Sequence, residues 1–492
     1  MGRTVGGPAR IPAGSGTAPR PTTRGPAYAP PAAGAVRATA PGDGLILNSG
    51  GSQAVLGQVN AARNGMRGAN HRPLPPGPVT VRENGRLTLD ARTGRYEVRA
   101  DGTLASYHAN GQVALFLRDG RVRSLRTPEF ELHRSPGGGR TLVGRRPDQS
   151  ILVATGRSGG YLERSISIGK RPFIQRTYAR NGATQTRFFR PYRYRGLFLP
   201  VYVPPVYYPA AFYRWIFGPW RLRPIYAWPW LNQLWYRFQM GYFTPAPYYS
   251  GADFWLADYV ESQTLEAGYE EEPPLADETG DSLSGAPETV WLPEDDQLCA
   301  DEDTPIGEEL RAAIAEEVRN LIAAEEALSG GGEDPSRMDP RAEWRPNRLF
   351  IVSRRLEVLA GRRTCELSPG AVLQLIASPE ESTAAMLRVV ASKRGDCPVG
   401  VEAAVSLQDL QEMRNDLRAR LDAGLEALRN GQGQAGLPPA PPAALAPPQP
   451  GTPGAPAAEP GVPALLADQQ RQADRAESEI VKAALPAPPG RQ

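Results

Sequence analysis

One stretch constrains the fold of this chain more than any other. Phe188–Tyr259 holds 26 of the chain's 38 aromatic residues, and prolines stand at positions 200, 204, 205 and 209 within its uncharged part, 196–213. That part is long enough to cross a bilayer. Each proline, however, removes a backbone donor, and lipid offers no replacement partner. We therefore exclude a membrane span here and predict extended or polyproline-like backbone.

The rings of this stretch allow two interpretations. They form a compact core that covers one face of a preceding sheet, or they form a contact surface in which arginines alternate with aromatic rings. The contact-surface interpretation names these residues: Arg190, Tyr192, Arg193, Tyr194, Arg195, Arg214, Trp215, Trp220, Arg221, Arg223, Trp228, Trp230, Trp235 and Arg237.

The same stretch separates a basic half of the chain from an acidic half. Before Asp253 there are 35 Lys+Arg and 10 Asp+Glu, whereas from Asp253 onward there are 21 and 43, so a net charge of +3 conceals two strongly charged halves. Between Glu163 and Asp253 there are 13 basic residues and no acidic one. This asymmetry allows the halves to pair with each other, or the basic half to bind a polyanion.

A β-meander is predicted before the aromatic stretch. Glycines recur at 85, 94, 102, 111 and 120, and all except Gly94 follow Asn or Asp, which is the strongest short-range sign of a hairpin. The alternating apolar residues predicted to face inward are Leu87, Leu89, Leu104, Val113, Leu115, Val122 and Leu125. Two further hairpins are predicted over Leu142–Val153 and Phe173–Arg187. The segment GTLASYHANGQVALF (102–116) resembles degenerate MORN-type hairpin repeats, which implies an extended sheet surface over 79–125 and no chemistry.

The acidic half contains one amphipathic helix and one small folded unit. Thr304 is predicted to cap a helix that begins at Pro305, with apolar residues at helical spacing from Ile306 to Ile322. Short apolar runs between 346 and 405 predict strands, and Ser406 with Asp409 predicts a capped helix after them. The run LSPGAVLQLI (367–376) resembles a central strand of bacterial SH3-like barrels, which implies a small barrel over 346–405.

Cys365 and Cys397 lie at the edges of predicted strands in this unit, 32 residues apart. We favour a disulfide between them, which would stabilise so small a barrel and would place it in an oxidising compartment; two buried free thiols are the alternative. The first residues, MGRTVGGPARIPAGSG, contain no apolar stretch typical of a signal peptide. We predict an extracytoplasmic, envelope-associated location, and a cytoplasmic location is the alternative.

No catalytic or cofactor motif stands out in the sequence. A phosphate-binding loop, a zinc-ligand spacing and a nucleophile elbow are all missing, so we predict no metal, no cofactor and no enzymatic activity. The carboxylate pairs Glu270–Glu272 and Glu294–Asp296 lie in acidic sequence that nothing is expected to desolvate.

The order of segments as a whole resembles a group of uncharacterised bacterial proteins, envelope-associated and with Tyr/Trp/Pro-rich centres. The quoted segments are VPPVYYPAAFYRWIFGPW, GYFTPAPYYSGADFWLADY and EELRAAIAEEVRNLIAAEE, followed by the Cys-bearing barrel and a Pro/Ala tail. The group carries no known activity, so the resemblance implies no functional residue.

These observations predict a multi-domain chain with a large disordered fraction. The predicted units are a disordered 1–45, a meander 46–190, an aromatic module 191–260, an acidic linker 261–303, a helix 304–329, a linker 330–345, a barrel with helix 346–430, and a Pro/Ala-rich tail 431–492 with a weak helix. The predicted function is that of a non-enzymatic structural or interaction protein that contacts a partner protein, a glycan or lipid headgroups. The alternative is polyanion or nucleic-acid binding through 164–252.

Overall fold

The computed structural model describes residues 36–38, 65–81, 86–134, 140–156, 159–180, 182–220, 225–271, 299–329, 344–361, 363–379, 382–452, 454, 456 and 459–484. Most of the predicted disordered segment 1–45 lies outside these residues, as does most of the acidic segment before Cys299.

A large antiparallel sheet confirms the predicted meander. Its strands follow one another in sequence order, so that each strand pairs with the next. They are β1 (Val36–Ala38), β2 (Val79–Val81), β3 (Leu87–Ala91), β4 (Gly94–Val98), β5 (Leu104–Ala109), β6 (Gln112–Phe116), β7 (Val122–Arg126), β8 (Phe130–Arg134), β9 (Arg140–Arg145), β10 (Ile151–Thr155), β11 (Gly159–Ile168), β12 (Arg171–Arg180), β13 (Ala183–Tyr194) and β14 (Leu197–Val203). Both later hairpins are confirmed, as β9–β10 and β12–β13, and the boundary predicted at residue 190 falls inside β13.

The turns differ in type from one hairpin to the next. Asn110 and Gly111 both have positive φ, 50° and 74°, which makes the β5–β6 connection a two-residue type I′ turn. At Gly102 the loop is one residue longer: Gly102 N–H donates to Arg99 O at 3.0 Å, and Arg99 N–H donates to Thr103 O at 2.8 Å. Asp101 accepts the Thr103 N–H and supports this type I turn with a glycine bulge.

On β6 the inward face is not the predicted one. Ala114 and Phe116 are buried, whereas Leu115 is 41% exposed. The alternation along β6 is regular but opposite in phase to the prediction, and the register shift between Leu115 and Phe116 places its extra residue on β7. The inward positions predicted on β3, β5 and β7 are confirmed as buried.

The small folded unit is a second antiparallel sheet. Its strands are β16 (Leu349–Ile351), β17 (Leu356–Ala360), β18 (Arg363–Leu367), β19 (Val372–Leu375), β20 (Ala384–Ala391) and β21 (Glu402–Ser406). They lie side by side in the order β16-β19-β20-β21-β17-β18. A 25-residue helix, Leu407–Gly431, follows directly, and its N-cap Ser406 accepts the Asp409 N–H at 3.0 Å as predicted.

The aromatic stretch continues the first sheet through β14 and then turns helical. After β15 (Val206–Tyr207) come helices α1 (Ala210–Phe217), α2 (Leu234–Arg237) and α3 (Ala252–Glu271). Extended backbone was predicted up to Tyr213, so α1 is a difference from the prediction. The acidic linker does not begin at residue 261, because Glu261 lies within α3 and is buried. Among the described residues, no helix is long and apolar enough to cross a membrane.

The acidic helix α4 spans Glu308–Ser329 and begins later than predicted. Thr304 does not cap it: Thr304 N–H donates to Ser392 O at 2.8 Å, in a bridge to the end of β20. Residues Ile314, Val318 and Ile322 are buried, and they pack in one hydrophobic core with the aromatic stretch and with the helix Leu407–Gly431, named α5. The aromatic segment and the acidic half therefore share a core.

The C-terminal segment predicted to be a tail is packed against the rest of the chain. Residues Gln449–Pro450 form β22, which pairs with β15. Helix α6 (Val462–Ala483) lies on the meander, where Val462, Leu466 and Ile480 join the core of the large sheet. Gly160 leaves room for this contact, because a side chain there would overlap Leu466.

Ion pairs join the two charged halves, which answers a question that the sequence left open. They link Arg123 to Glu357, Arg134 to Glu477, Arg176 to Glu412, Arg180 to Glu270 and Arg187 to Asp416. At these ion pairs, the basic half and the acidic half of the chain contact each other within one molecule.

Candidate contact surface

Stacked rings form the centre of the aromatic stretch. Trp228 stacks on Trp255 and Trp230 with ring centroids 5.0 and 5.2 Å apart, and its Nε1 donates to the Tyr249 hydroxyl at 2.8 Å. Tyr249 in turn donates to the carboxylate of Asp258 at 2.7 Å. The polar atoms of Trp228 and Tyr249 are thus paired inside the molecule, whereas the buried Nε1 of Trp255 has no hydrogen-bond partner, and the cluster is a rigid core.

Four tryptophans named for the contact surface lie in the interior. Trp220, Trp228, Trp230 and Trp235 are at most 6% exposed. In the described structure they are therefore not available to stack on a ligand, and they take the place that the core interpretation assigns to them. Their contribution to a surface is indirect, since they support the backbone that carries the exposed residues.

The arginines and tyrosines of β13 lie in mixed surroundings. Arg190 stacks on the Phe173 ring at 3.6 Å, Arg193 is exposed, and Arg195 is exposed in the turn before Gly196. The half-buried Tyr192 and Tyr194 pack against the core of the second sheet.

The remaining predicted residues are dispersed. Arg214 and Arg237 are exposed, and Trp215 is half-buried against Phe212 at a centroid distance of 5.6 Å. Arg221 and Arg223 lie outside the described residues. The structure therefore does not bring the predicted set together as a single surface.

Instead, a group of apolar side chains around α2 is turned toward solvent. This apolar patch consists of Ile225, Leu231, Leu234, Phe238 and Met240, which are between 40% and 77% exposed. Leu234 and Phe238 lie four residues apart, on one side of a helical turn. Trp235 and Tyr236 are buried on the other side. Large exposed apolar groups on a rigid support are typical of a binding surface.

A shallow groove of about 580 Å³ lies where β11 to β14 meet. Its floor is apolar, and Arg193, Ser165 and Ser167 supply polar atoms at its border. Its lining residues are Ser165, Ile166, Ser167, Pro172, Phe173, Ile174, Pro191, Arg193 and Phe198. Only Arg193 of the predicted contact residues contributes to this lining.

Two ionisable groups, the buried Glu261 and the half-buried Lys393, lie where α3 meets the second sheet. Neither carboxylate oxygen of Glu261 has a hydrogen-bond partner, and burial raises the pKa of this group to about 8. The Lys393 ammonium donates to Pro369 O at 2.8 Å, and burial lowers its pKa to about 8. Their mutual attraction opposes both shifts, but desolvation is the larger effect.

A second buried cluster joins α4 to α5. The Tyr213 hydroxyl donates to Glu325 at 2.6 Å, and the Tyr202 hydroxyl donates to Asp422 at 2.7 Å. Burial raises the pKa of Glu325 to about 7, and burial together with the nearby Glu325 raises that of Asp422. Neither cluster contributes a lining residue to the groove. We therefore interpret both as structural polar contacts between elements.

Cys365 and Cys397 form a disulfide, as the sequence analysis favoured, with Cα atoms 5.1 Å apart. Both residues are buried, and the Cys397 N–H donates to Glu366 O at 2.8 Å. Cys299 is exposed and free. No group of side chains suited to a metal ion occurs among the described residues.

Replacing Cys365 and Cys397 together by alanine should lower the free energy of unfolding by about 3–4 kcal/mol, because the bridge closes a loop of this length in the unfolded chain. Urea unfolding at pH 7 measures the change. Cys299→Ala, at an exposed thiol, should leave the free energy of unfolding within about 0.5 kcal/mol of the parent value. Equal stability of the double variant and the parent would show that the bridge does not form.

Comparison with protein-family models, with curated proteins and with solved structures finds no match for this chain.

The apolar patch was not singled out by the sequence. Its residues alternate with buried rings along 225–240, so that hydropathy alone does not separate the two sets. The spacing of Leu234 and Phe238 around Trp235 and Tyr236 could have indicated a helical turn with one exposed and one buried side. That turn was not predicted, because α2 has only four residues.

Proposed function

We propose that this chain is a non-enzymatic interaction protein whose contact surface is the apolar patch around α2. The observation that carries the proposal is the exposure of Ile225, Leu231, Leu234, Phe238 and Met240 within 16 residues of chain. Exposed apolar patches mark interaction sites, and the closeness of these five residues along the chain supports such a patch.

The support beneath the patch strengthens the proposal. The ring centroid of Trp230 lies 5.3 Å from that of Trp235 and 4.9 Å from that of Tyr236. The two rings on the inner side of α2 are therefore held in the aromatic core. A surface that is rigid before binding loses less conformational entropy when it binds. We infer that the aromatic stretch serves as a platform and the patch as the contact.

Polyanion binding through 164–252 is the second candidate, and the ion pairs within the molecule weigh against it. Arg176, Arg180 and Arg187 pair with Glu412, Glu270 and Asp416. Residues 164–252 also share strands and a hydrophobic core with the rest of the chain, so a binding experiment has to use the full chain. Steeply salt-dependent binding of a mixed-sequence DNA oligonucleotide by the full chain would favour this candidate.

A dye titration tests whether the patch is accessible. Leu234→Ser/Phe238→Ser should lower the fluorescence of bound 1-anilinonaphthalene-8-sulfonate at least about twofold, because two of the five exposed apolar side chains of the patch are removed. Leu359→Ser/Met386→Ser is the matched control, since these residues are 51% and 43% exposed on the second sheet. A smaller effect of the patch variant than of the control would contradict the proposal.

The cellular location of the protein and its resemblance to known families are proposals too. A buried disulfide is typical of proteins that fold outside the reducing cytosol, so it supports an extracytoplasmic, envelope-associated location. The likeness of the meander to MORN-type repeats and of the second sheet to an SH3-like barrel stays a prediction from sequence.

A further inference from the structure

The segment that leads into α4 runs along the second sheet. The Thr304 N–H donates to Ser392 O at 2.8 Å, and the two residues form an antiparallel bridge just after β20. Four residues earlier in the chain, the Ala300 N–H donates to Asp396 O at 2.6 Å. Residue numbers thus fall along one side of this contact as they rise along the other, so the antiparallel direction holds from Thr304 back to Ala300.

The register of this contact brings the third cysteine of the chain beside the disulfide. The N–H of Ala300 lies between the Cα atoms of residues 299 and 300, and the oxygen of Asp396 lies between those of residues 396 and 397. Because the direction is antiparallel, Cys299 lies opposite Cys397. Opposed residues of antiparallel strands have Cα atoms about 4.5–5.5 Å apart, and a disulfide needs roughly 4.4–6.8 Å.

The electrostatic surroundings of the Cys299 thiol agree with this placement. Partial burial raises the pKa of the thiol above its ordinary value of 9.0, and the carboxylates of Asp396 and Glu366 add to the increase. Asp396 directly precedes Cys397 in the chain, and Glu366 directly follows Cys365. The thiol therefore lies in the field of acidic residues that flank both ends of the disulfide.

We propose that the three cysteines form one thiol–disulfide exchange site, in which Cys299 competes with Cys365 for Cys397. The Cys299 thiolate attacks Sγ of Cys397, a Cys299–Cys397 bond forms and the Cys365–Cys397 bond breaks. Cys365 leaves as a thiolate and takes up the proton that Cys299 has released to solvent. One disulfide replaces another, so the step needs no oxidant or reductant. No residue of the apolar patch takes part, so the site is independent of the proposed function.

The exchange changes which parts of the chain are cross-linked. The Cys365–Cys397 bridge joins β18 to the loop between β20 and β21, both within the second sheet. The Cys299–Cys397 bridge joins the same loop to the segment that leads into α4. Because Cys365 and Cys397 are buried, a thiol in solution has poor access to their bridge. Cys299 is itself exposed, and backbone hydrogen bonds hold it next to that bridge.

Two single variants of the full chain test the proposed pairing. Cys365→Ala leaves Cys299 and Cys397, which face each other. Oxidised with glutathione disulfide at pH 8, it should form their bridge in at least about tenfold higher yield than Cys397→Ala forms a bridge between Cys299 and Cys365. Cys397→Ala is the matched control, because it loses the same native bridge. Peptide mapping by mass spectrometry, after alkylation and pepsin digestion at low pH, measures both yields.

The parent protein gives a second measurement that does not depend on the folding of either variant. Incubated at pH 6 to 9 and quenched with acid, it should yield the linked Cys299–Cys397 peptide together with a Cys365 thiol. Only the thiolate attacks, so the initial rate should rise about tenfold per pH unit. Cys299→Ser should prevent the appearance of the Cys365 thiol. Equal bridging in the two alanine variants, or no linked Cys299–Cys397 peptide in the parent at pH 9, would overturn the exchange site.

Discussion

Arg176→Met should lower the free energy of unfolding by about 3–5 kcal/mol, the loss expected when one partner of a buried ion pair is removed. The Arg176 guanidinium donates to both oxygens of Glu412, at 2.7 and 2.8 Å, and to Glu163 at 2.7 Å. It also lies between the rings of Tyr161 and Phe189, 4.9 and 4.6 Å from their centroids. Methionine fills part of the space but leaves two carboxylates without their cation.

Urea unfolding followed by tryptophan fluorescence measures this loss. Arg126→Met is the control, because its pair with Glu131 is well exposed and should contribute about 1 kcal/mol or less. Glu412→Gln alone and combined with Arg176→Met completes a double-mutant cycle, which should show strong coupling between the two residues. Losses that simply add would mean that Arg176 acts through packing and not through this pair.

Glu261→Gln should stabilise the protein, and the gain should grow with pH to about 2–4 kcal/mol above pH 8. The folded protein binds the Glu261 proton more tightly than the unfolded chain does, because burial raises the pKa of Glu261 from 4.5 to about 8. Raising the pH from 4.5 to 8 therefore lowers the stability of the parent protein. Glutamine does not ionise, so the variant escapes this loss.

The stability gain of Lys393→Met should depend on pH in the opposite direction to that of Glu261→Gln. Burial lowers the pKa of Lys393 from 10.5 to about 8, so the cost of burying its charge is fully present below pH 8 and disappears as the pH rises toward 10.5. The methionine variant should thus gain stability mainly at lower pH, by about 1–3 kcal/mol. Melting temperatures at pH 6, 7.5 and 9 compare both variants. Parallel pH profiles for parent and variants would contradict the assignment.

Features that depend on a few neighbouring residues were predictable. The meander follows from Asn-Gly and Asp-Gly pairs spaced by short alternating strands, and the cap at Ser406 follows from Asp409 three residues later. The pairing of Cys365 with Cys397 followed from their places at strand edges. The turn subtype at Gly102 was not predictable from Asp-Gly alone, because the same dipeptide suits a bulged turn.

Features that depend on distant residues were not predictable. Nothing near Glu261 indicates burial, since the helix is covered by Lys393 and by the turn at Gly370, more than a hundred residues away in the chain. The weak helix of the tail was predicted, but its packing on the meander was not, because its few apolar residues are matched to a sheet that the local pattern does not reveal. The exposed patch and the buried tryptophans have similar hydropathy, and only the tertiary packing separates them.

The docking of α6 on the meander has a consequence for biosynthesis. The strands leave the ribosome long before α6 does, and at roughly 5–20 residues per second the delay is on the order of tens of seconds. During that interval the side of the nascent sheet that α6 will cover carries exposed Leu142, Leu152 and Leu162. A chaperone that shields this apolar side until translation nears its end would protect the nascent protein from aggregation.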